Sequence, residues 1–428
     1  VKIWLRNMLA LVCAFIGIAT AQAEPATLIR GARVFDGTGA PAKLRDVLVR
    51  GDRIVAVARR ISARDAEIVD ASGMTLIPGL HDLHIHTPRA AFENAETLAA
   101  THRPYLASGV TSVNEYSVSG PMLAPIRAIE TSALVEAPHM VLAIRLGVPH
   151  GHGTESEFTN SITTQVTTPA EARAAMERLL PYRPGVIKVF ADGWRYARDA
   201  DLPDMDLPTL KAIVDAAHAD GIRVVTHTVT LAGAKIAARA GVDALVHGVG
   251  DALVDRELIR LMKKHRTSYV PTLAVYEPQQ DRRLLPAEWS RLRPRDLERE
   301  TQRRAEAVQP IRDYESKRWQ IMQDNVRLLH AAGIRIGIGT DTGIGGVYPG
   351  LAAQREIRLL TTLGFTPREA LAAATTTSAR IMGARNHGRI ARGQRADLVL
   401  VAGRPDEQIE DLYQVRRTWV SGRAVSFD

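Results

Sequence analysis

The sequence predicts an α/β fold, a (β/α)8 TIM barrel carrying a small β-sandwich built from both chain ends. Three observations predict it. Through the middle of the chain, apolar segments of strand length alternate with helical stripes over about 300 residues, room for eight β-α units. The two flanks instead show short alternating strands around Gly and Asp turns. The central strands also end in polar residues of metal-ligating type, on the face where a barrel carries its catalytic groups.

In chain order, residues 1–23 read as a secretory signal peptide. Lys2 and Arg6 precede an apolar run from Met8 to Ile18, and Ala21-Gln22-Ala23 offers small residues before a cut at Glu24. The run is too short to span a bilayer. The expected product is periplasmic or secreted, with no stable membrane anchor after cleavage. Residues 24–77 hold TLIRGARVFDGTG, then VLVRGDRIVAVA turning at Gly51-Asp52, then AEIVDASG. Residues 385–428 resemble them, with ADLVLVAG and RRTWVSGRAV turning at Ser421-Gly422. Neither flank makes a core alone, so both are expected to pair into one sandwich.

Residues 78–384 are the expected barrel. Its candidate strands are Gly79–His86, Val110–Glu115, Met140–Arg145, Val186–Phe190, Arg223–His227, Ala244–His247, Ser268–Thr272 and Arg335–Asp341. The helices between them are punctuated. Thr168-Pro169-Ala170-Glu171 and Thr366-Pro367-Arg368-Glu369 read as capping boxes with proline at the first helical position. Leu210, Ile213, Val214 and Ala217 form a stripe that stops at Gly221. The stretch Glu277–Gln323 exceeds a minimal crossover. Its Arg282, Arg283, Arg291, Arg293 and Arg295 sit among acids at helical spacing, which reads as a charged, solvent-facing helix pair. A lid over the site is the alternative, because the insert follows the seventh strand on the catalytic face.

Composition narrows the function. At 428 residues and 46% hydrophobic, the chain can bury a large core. The net charge of +8 falls to +6 once Lys2 and Arg6 leave. No basic patch or nucleic-acid motif accompanies that excess, so no nucleic-acid partner is expected. The lone cysteine, Cys13, lies in the leader, so disulfides, thiolate ligands and a thiol nucleophile are excluded from the mature chain.

The chemistry gathers around MTLIPGLHDLHIHT, Met74–Thr87. Alternate strand residues share a face, so His84 and His86 project together as two ligands of one metal would. Lys188 lies within the apolar VIKVF, His227 ends RVVTH, His247 ends ALVH, and Asp341 ends IGIGTD. Each has a dull explanation: a strand-end histidine can be a hydrogen-bonded rim residue, and an aspartate can cap a turn. Lys188 is harder to dismiss, because a buried ammonium without a partner is costly; it must be paired, neutral or modified.

Taken together, these motifs resemble the amidohydrolase superfamily over essentially the whole mature chain. PGLHDLHIH is similar to the family's first-strand metal motif, and IKVF to the fourth-strand motif whose lysine is carbamylated in the two-metal subgroup. THT, VHG and GTDTG resemble the next ligand positions, and GRIARGQRADLVLV the return into the sandwich. The resemblance implies two divalent ions, zinc being expected. His84, His86 and Asp341 would bind one and His227 and His247 the other, bridged by carbamate on Lys188 and by hydroxide. Four positive charges against carbamate, aspartate and hydroxide leave the site slightly positive, suited to polarising a carbonyl and accepting an anionic substrate. Asp341 would take the attacking water's proton and pass it to the leaving nitrogen.

Within the superfamily, RLGVPHGHGTE and the fourth and fifth units are similar to the prolidase and imidazolonepropionase-like branch. That likeness implies cleavage of an amide in a dipeptide or N-acyl amino acid, a small carboxylate-bearing substrate. His152, Arg145 and Tyr196 are the substrate-contact candidates, with Arg195 a further donor and His150 a weaker one. One departure stands out. Dipeptidase-like members carry a tyrosine two residues after the fifth-strand histidine, and this chain has Val229. Tyr196 or Tyr116 could replace it, or the substrate could be a cyclic amide or lactone, which the same site could open. A binding protein without turnover is the reading from another class, and the intact ligand set argues against it. A homo-oligomer is compatible with the sequence, which does not determine it.

Overall fold

The computed structural model describes residues 26–132, 135–195, 200–278, 282–306, 313–344 and 346–426. The expected signal peptide and Tyr196 lie outside them. The flanking strands are β1 (Ala26–Val34), β2 (Lys43–Arg50), β3 (Arg53–Ala58), β4 (Glu67–Asp70) and β5 (Met74–Pro78). The central ones are β6 (Leu80–Ile85), β7 (Val110–Glu115), β8 (His139–Gly147), β9 (Thr163–Gln165), β10 (Val186–Phe190), β11 (Arg223–His227), β12 (Ala244–Val246) and β13 (Ser268–Val270). The tail adds β14 (Leu398–Ala402), β15 (Val415–Val420) and β16 (Arg423–Ala424).

Both chain ends meet in one sheet, ordered β16-β15-β14-β5-β1-β2-β3 with β4 also paired to β1. The β14–β5 pairing, Leu398 opposite Pro78 through Ala402 opposite Met74, is the seam that joins tail to head. The alternation Ile29, Val47, Leu76, Leu398, Trp419 fills this sheet's own core. A second sheet runs in parallel through β6, β7, β8, β10, β11, β12 and β13. Leu83, Tyr116, Ala143, Val186, Val225 and Val246 pack inside it, and the helices cover the outside through the largest apolar cluster.

The expected eighth strand, Arg335–Asp341, is not a regular strand. It makes only isolated parallel bridges, Tyr269 with Ile336 and Ile85 with Thr342. It still closes the barrel. Tyr269 N donates to Arg335 O at 2.9 Å and Gly337 N to Tyr269 O at 2.9 Å on one side. On the other, Leu83 N donates to Ile338 O at 3.0 Å and Asp341 N to His84 O at 2.8 Å. The closure is tight: a Cβ on Gly339 would meet Val270 Cγ1 at 2.7 Å.

Local signals hold with one difference. Thr366 and Glu369 form the full reciprocal cap expected of them. Thr168 accepts from Glu171 N at 3.2 Å, but the Glu171 carboxylate turns to Thr167 N and Oγ1, at 2.7 and 2.8 Å, leaving that box half made.

The insert departs further from its solvent-facing reading. Arg283 and Arg295 are exposed, but Arg282 is buried and its Nη1 donates to Gly346 O. Arg291 reaches Ala107 O, Gln354 Oε1 at 3.3 Å and Tyr413 O at 3.2 Å. Arg355 binds both Glu277, at 2.6 Å, and Glu288, at 3.1 Å. Helical charge spacing could not show this, because the partners come from distant segments. The insert is clamped at the mouth of the barrel, and its last helix, Asp313–Ala331, sends Arg318 into the cavity there.

Candidate metal centre

Strand alternation places His84 and His86 on one face, and their Nε2 atoms stand 3.2 Å apart. Asp341 Oδ1 lies 3.2 Å from His84 Nε2 and 3.0 Å from His86 Nε2. Among the described residues, these three form the group whose ligand atoms all fall within 4.8 Å. The backbone aims Asp341 there from a left-handed conformation, φ 59°. The chain turns away at Gly343, φ +112°, where a Cβ would stand 2.3 Å from His86 O, so only glycine fits.

The other expected residues cluster beside this group. The His247 ring lies 4.7 Å from His84 and 4.5 Å from His227. His247 is also left-handed, φ 81°, and its Nδ1 is held by Thr272 Oγ1 at 3.0 Å. Lys188 is fully buried with no hydrogen-bond partner for Nζ among the described residues, 5.1 Å from the Tyr116 ring and 5.4 Å from the Phe190 ring.

Burial dominates the electrostatics. It lowers Lys188 to about 7, against the pull of Asp341. It lowers His84 to about 3, helped by Lys188, and holds His227 and His247 well below the ordinary histidine value. Burial alone would push Asp341 up, but His84 and His86 outweigh it and keep the carboxyl well below its usual range. Neutral imidazoles, one ionised carboxylate and an orphaned buried amine are a donor set that fits divalent metal binding.

Several supporting residues were not recognised in the sequence. Asp82 is fully buried and accepts from His84 N at 3.2 Å, Thr340 N at 3.0 Å and Thr340 Oγ1 at 2.6 Å, buckling the first strand to the eighth segment. Ser117 Oγ holds His86 Nδ1 at 2.9 Å, and its loop is fixed by buried Glu115, which accepts from Thr87 N at 2.8 Å and Ser117 N at 2.5 Å. Acids within apolar strands were the available signal, since a buried carboxylate needs donors.

A cavity of about 690 Å³ opens above the cluster. His152 lines it, its ring 4.1 Å from His227 and its Nδ1 2.6 Å from Glu155 Oε1. Arg195 pairs with the same Glu155 oxygen at 3.2 Å rather than facing water alone. Arg145 lines the cavity beneath its surface, 4.6 Å from the Phe190 ring, with Nη1 on Tyr116 O at 3.3 Å and Nη2 on Gly153 O at 3.1 Å. His150 is exposed and is not among the lining residues. Tyr116 cannot replace the missing family tyrosine: it is fully buried against His84, ring to ring 4.5 Å, and does not reach the cavity. Val229 is buried as well. The tyrosine that does line the cavity is Tyr276, 6.0 Å from His247, just beyond the seventh strand. Its position on a βα loop was the overlooked signal.

The model of the Amidohydrolase family matches residues 75–425. Among solved structures, the chain is similar to a candidate prolidase from Bifidobacterium longum, 26% identical with a TM-score of 0.75, covering 94% of this chain and 95% of that one. It is similar also to a prolidase complexed with N-methylphosphonate-L-proline, 25% identical with a TM-score of 0.73, over 94% of this chain and 99% of that one. A dihydroorotase from Solibacter usitatus is 31% identical over 179 residues, 41% of this chain but only 40% of the dihydroorotase. With barrel, terminal sheet and family match in agreement, this chain belongs to the amidohydrolase family and is a hydrolase acting on carbon–nitrogen bonds.

Proposed function

We propose that the protein hydrolyses the amide bond of a dipeptide or N-acyl amino acid, releasing an amino acid. One observation carries this reading: the cavity above the histidine cluster is lined by Arg89, Arg145, Arg318 and His152 against Glu155 and Asp341, a cationic bias suited to a carboxylate beside the scissile carbonyl. Likeness to prolidases supports it.

In this reading His84, His86 and Asp341 would hold one ion and His227 and His247 a second, with Lys188, as its carbamate, supplying a further anionic oxygen ligand. A histidine- and oxygen-rich set without thiolate suits zinc. When bound, such ions supply ionised water near neutral pH and polarise a carbonyl. Asp341, ionised and facing the cavity, takes up the attacking water's proton and returns it to the leaving nitrogen. Arg145 binds the carboxylate, with His152 as a second donor held by Glu155.

Amidating the substrate's C-terminus tests the reading. Loss of one charge-assisted pair should cost about 1.5–3 kcal/mol in kcat/KM. Equal kcat/KM for free and amidated substrates would move the assignment to a cyclic amide, the second reading, which the match to dihydroorotase favours.

A further inference from the structure

The cavity is polar at its floor, and its exposed rim sets two large apolar side chains beside the charged Arg89 and Glu155. Eight large apolar side chains are exposed among the described residues, and two of them, Phe158 at 44% and Ile344 at 48%, line this cavity. Singly exposed apolar residues are ordinary on a surface; two lining one reactive cavity are not. They come from loops three strands apart around the barrel, Phe158 after β8 and Ile344 after the eighth segment. Both are anchored. Phe158 sits in the short helix Glu157–Ile162, capped by Ser156. Ile344 N donates to Asp341 O at 3.2 Å, which fixes it close to the reacting centre. Val275 and Tyr276 extend the apolar lining.

Volume adds to this. A cavity of about 690 Å³ falls within the range of roughly 300–1,000 Å³ that takes a drug-sized ligand, far more than a minimal dipeptide fills. We infer that the substrate carries a large apolar acyl group, aromatic or medium-chain aliphatic, which Phe158 and Ile344 select. The inference rests on the amide-hydrolase reading above, which assigns the carboxylate to Arg145 at the floor. Arg145 is only 3% exposed, so the carboxylate end sits deep and the rim is left to the acyl end.

The test uses metal-loaded enzyme and one leaving amino acid acylated with acetyl, butanoyl, hexanoyl, octanoyl or benzoyl groups. Burial of a methylene is worth about fourfold, so kcat/KM should climb by up to that factor per added methylene until the rim is filled. In Phe158→Ser/Ile344→Ser the slope should flatten. Affinity for the free acyl acids, measured by calorimetry, should follow the same series without any turnover. A flat series in both measurements, or an unchanged slope in the double variant, overturns the inference. Rising acid affinity with no hydrolysis of any acyl amino acid instead overturns the amide reading and leaves the apolar subsite standing.

Discussion

Lys188→Met isolates the cost of an amine that no protein group neutralises. Lys188 is fully buried on β10, and burial lowers its ammonium from 10.5 to about 7, with Asp341 opposing and Arg145 adding. The unfolded lysine keeps its proton up to pH 10.5, while the folded one gives it up near 7. The folded state therefore bears the whole penalty below pH 7, and the penalty fades as pH rises towards 10.5. At about 1.4 kcal/mol per pH unit, the cost at neutral pH is on the order of 4–5 kcal/mol. Methionine matches the chain length without the charge. In metal-free, carbon-dioxide-free buffer, urea unfolding should show Lys188→Met to be the more stable protein at pH 7, by about 4 kcal/mol. The gap should shrink by about 1.4 kcal/mol per unit between pH 7 and 10. On the proposed reading, added metal should reverse the order, because only the wild type could hold the ions through a carbamate on Lys188 and binding stabilises the native state. A gap independent of pH, or a wild type that is the more stable when metal-free, refutes the reasoning.

Asp341→Asn keeps the shape and one oxygen but cannot take up a proton; turnover should fall by roughly 10²–10⁴-fold while much of the metal, measured by elemental analysis, remains. Asp82→Ala strands the buried amides of His84 and Thr340, while Thr340 Oγ1 keeps Thr342 Oγ1 as a partner; the loss should be about 1–3 kcal/mol for each unpaired amide, whereas Asp82→Asn keeps an acceptor and should cost less, and equal losses in denaturant titration would exclude the buckle role. On the opposite end of the barrel, buried His81 stacks on His387 at 5.0 Å, and neither His81 nitrogen has a partner among the described residues. Burial lowers His81 well below 6.5 and His387 to about 4, so stability is complete above pH 6.5 and is lost as pH falls towards 4. At about 1.4 kcal/mol per unit for each histidine, unfolding free energy should drop by roughly 3–4 kcal/mol between pH 7 and 5, and His387→Phe should remove part of that slope.

The one-dimensional pattern was enough for the barrel, the seam between the chain ends and the cluster of His84, His86, Lys188, His227, His247 and Asp341. Those depend on local periodicity and on strand ends, which a barrel brings to one face whatever the details of packing. Even the irregular eighth segment was placed correctly, because Asp341 follows an apolar run. What packing alone decided is which polar groups find partners across the fold. The spacing of Arg282 and Arg291 looked like a wetted helix face, yet main-chain carbonyls from remote segments hold both, and Arg282 is buried. Tyr116 and Tyr276 each follow a strand closely, but one is pressed beneath His84 and the other opens onto the cavity. Asp82, Glu115 and Glu155 act through contacts with other loops and strands, which no periodicity encodes. Local propensity and alternation travel with the chain; depth, and the partner a buried charge acquires, exist only once the distant segments have met.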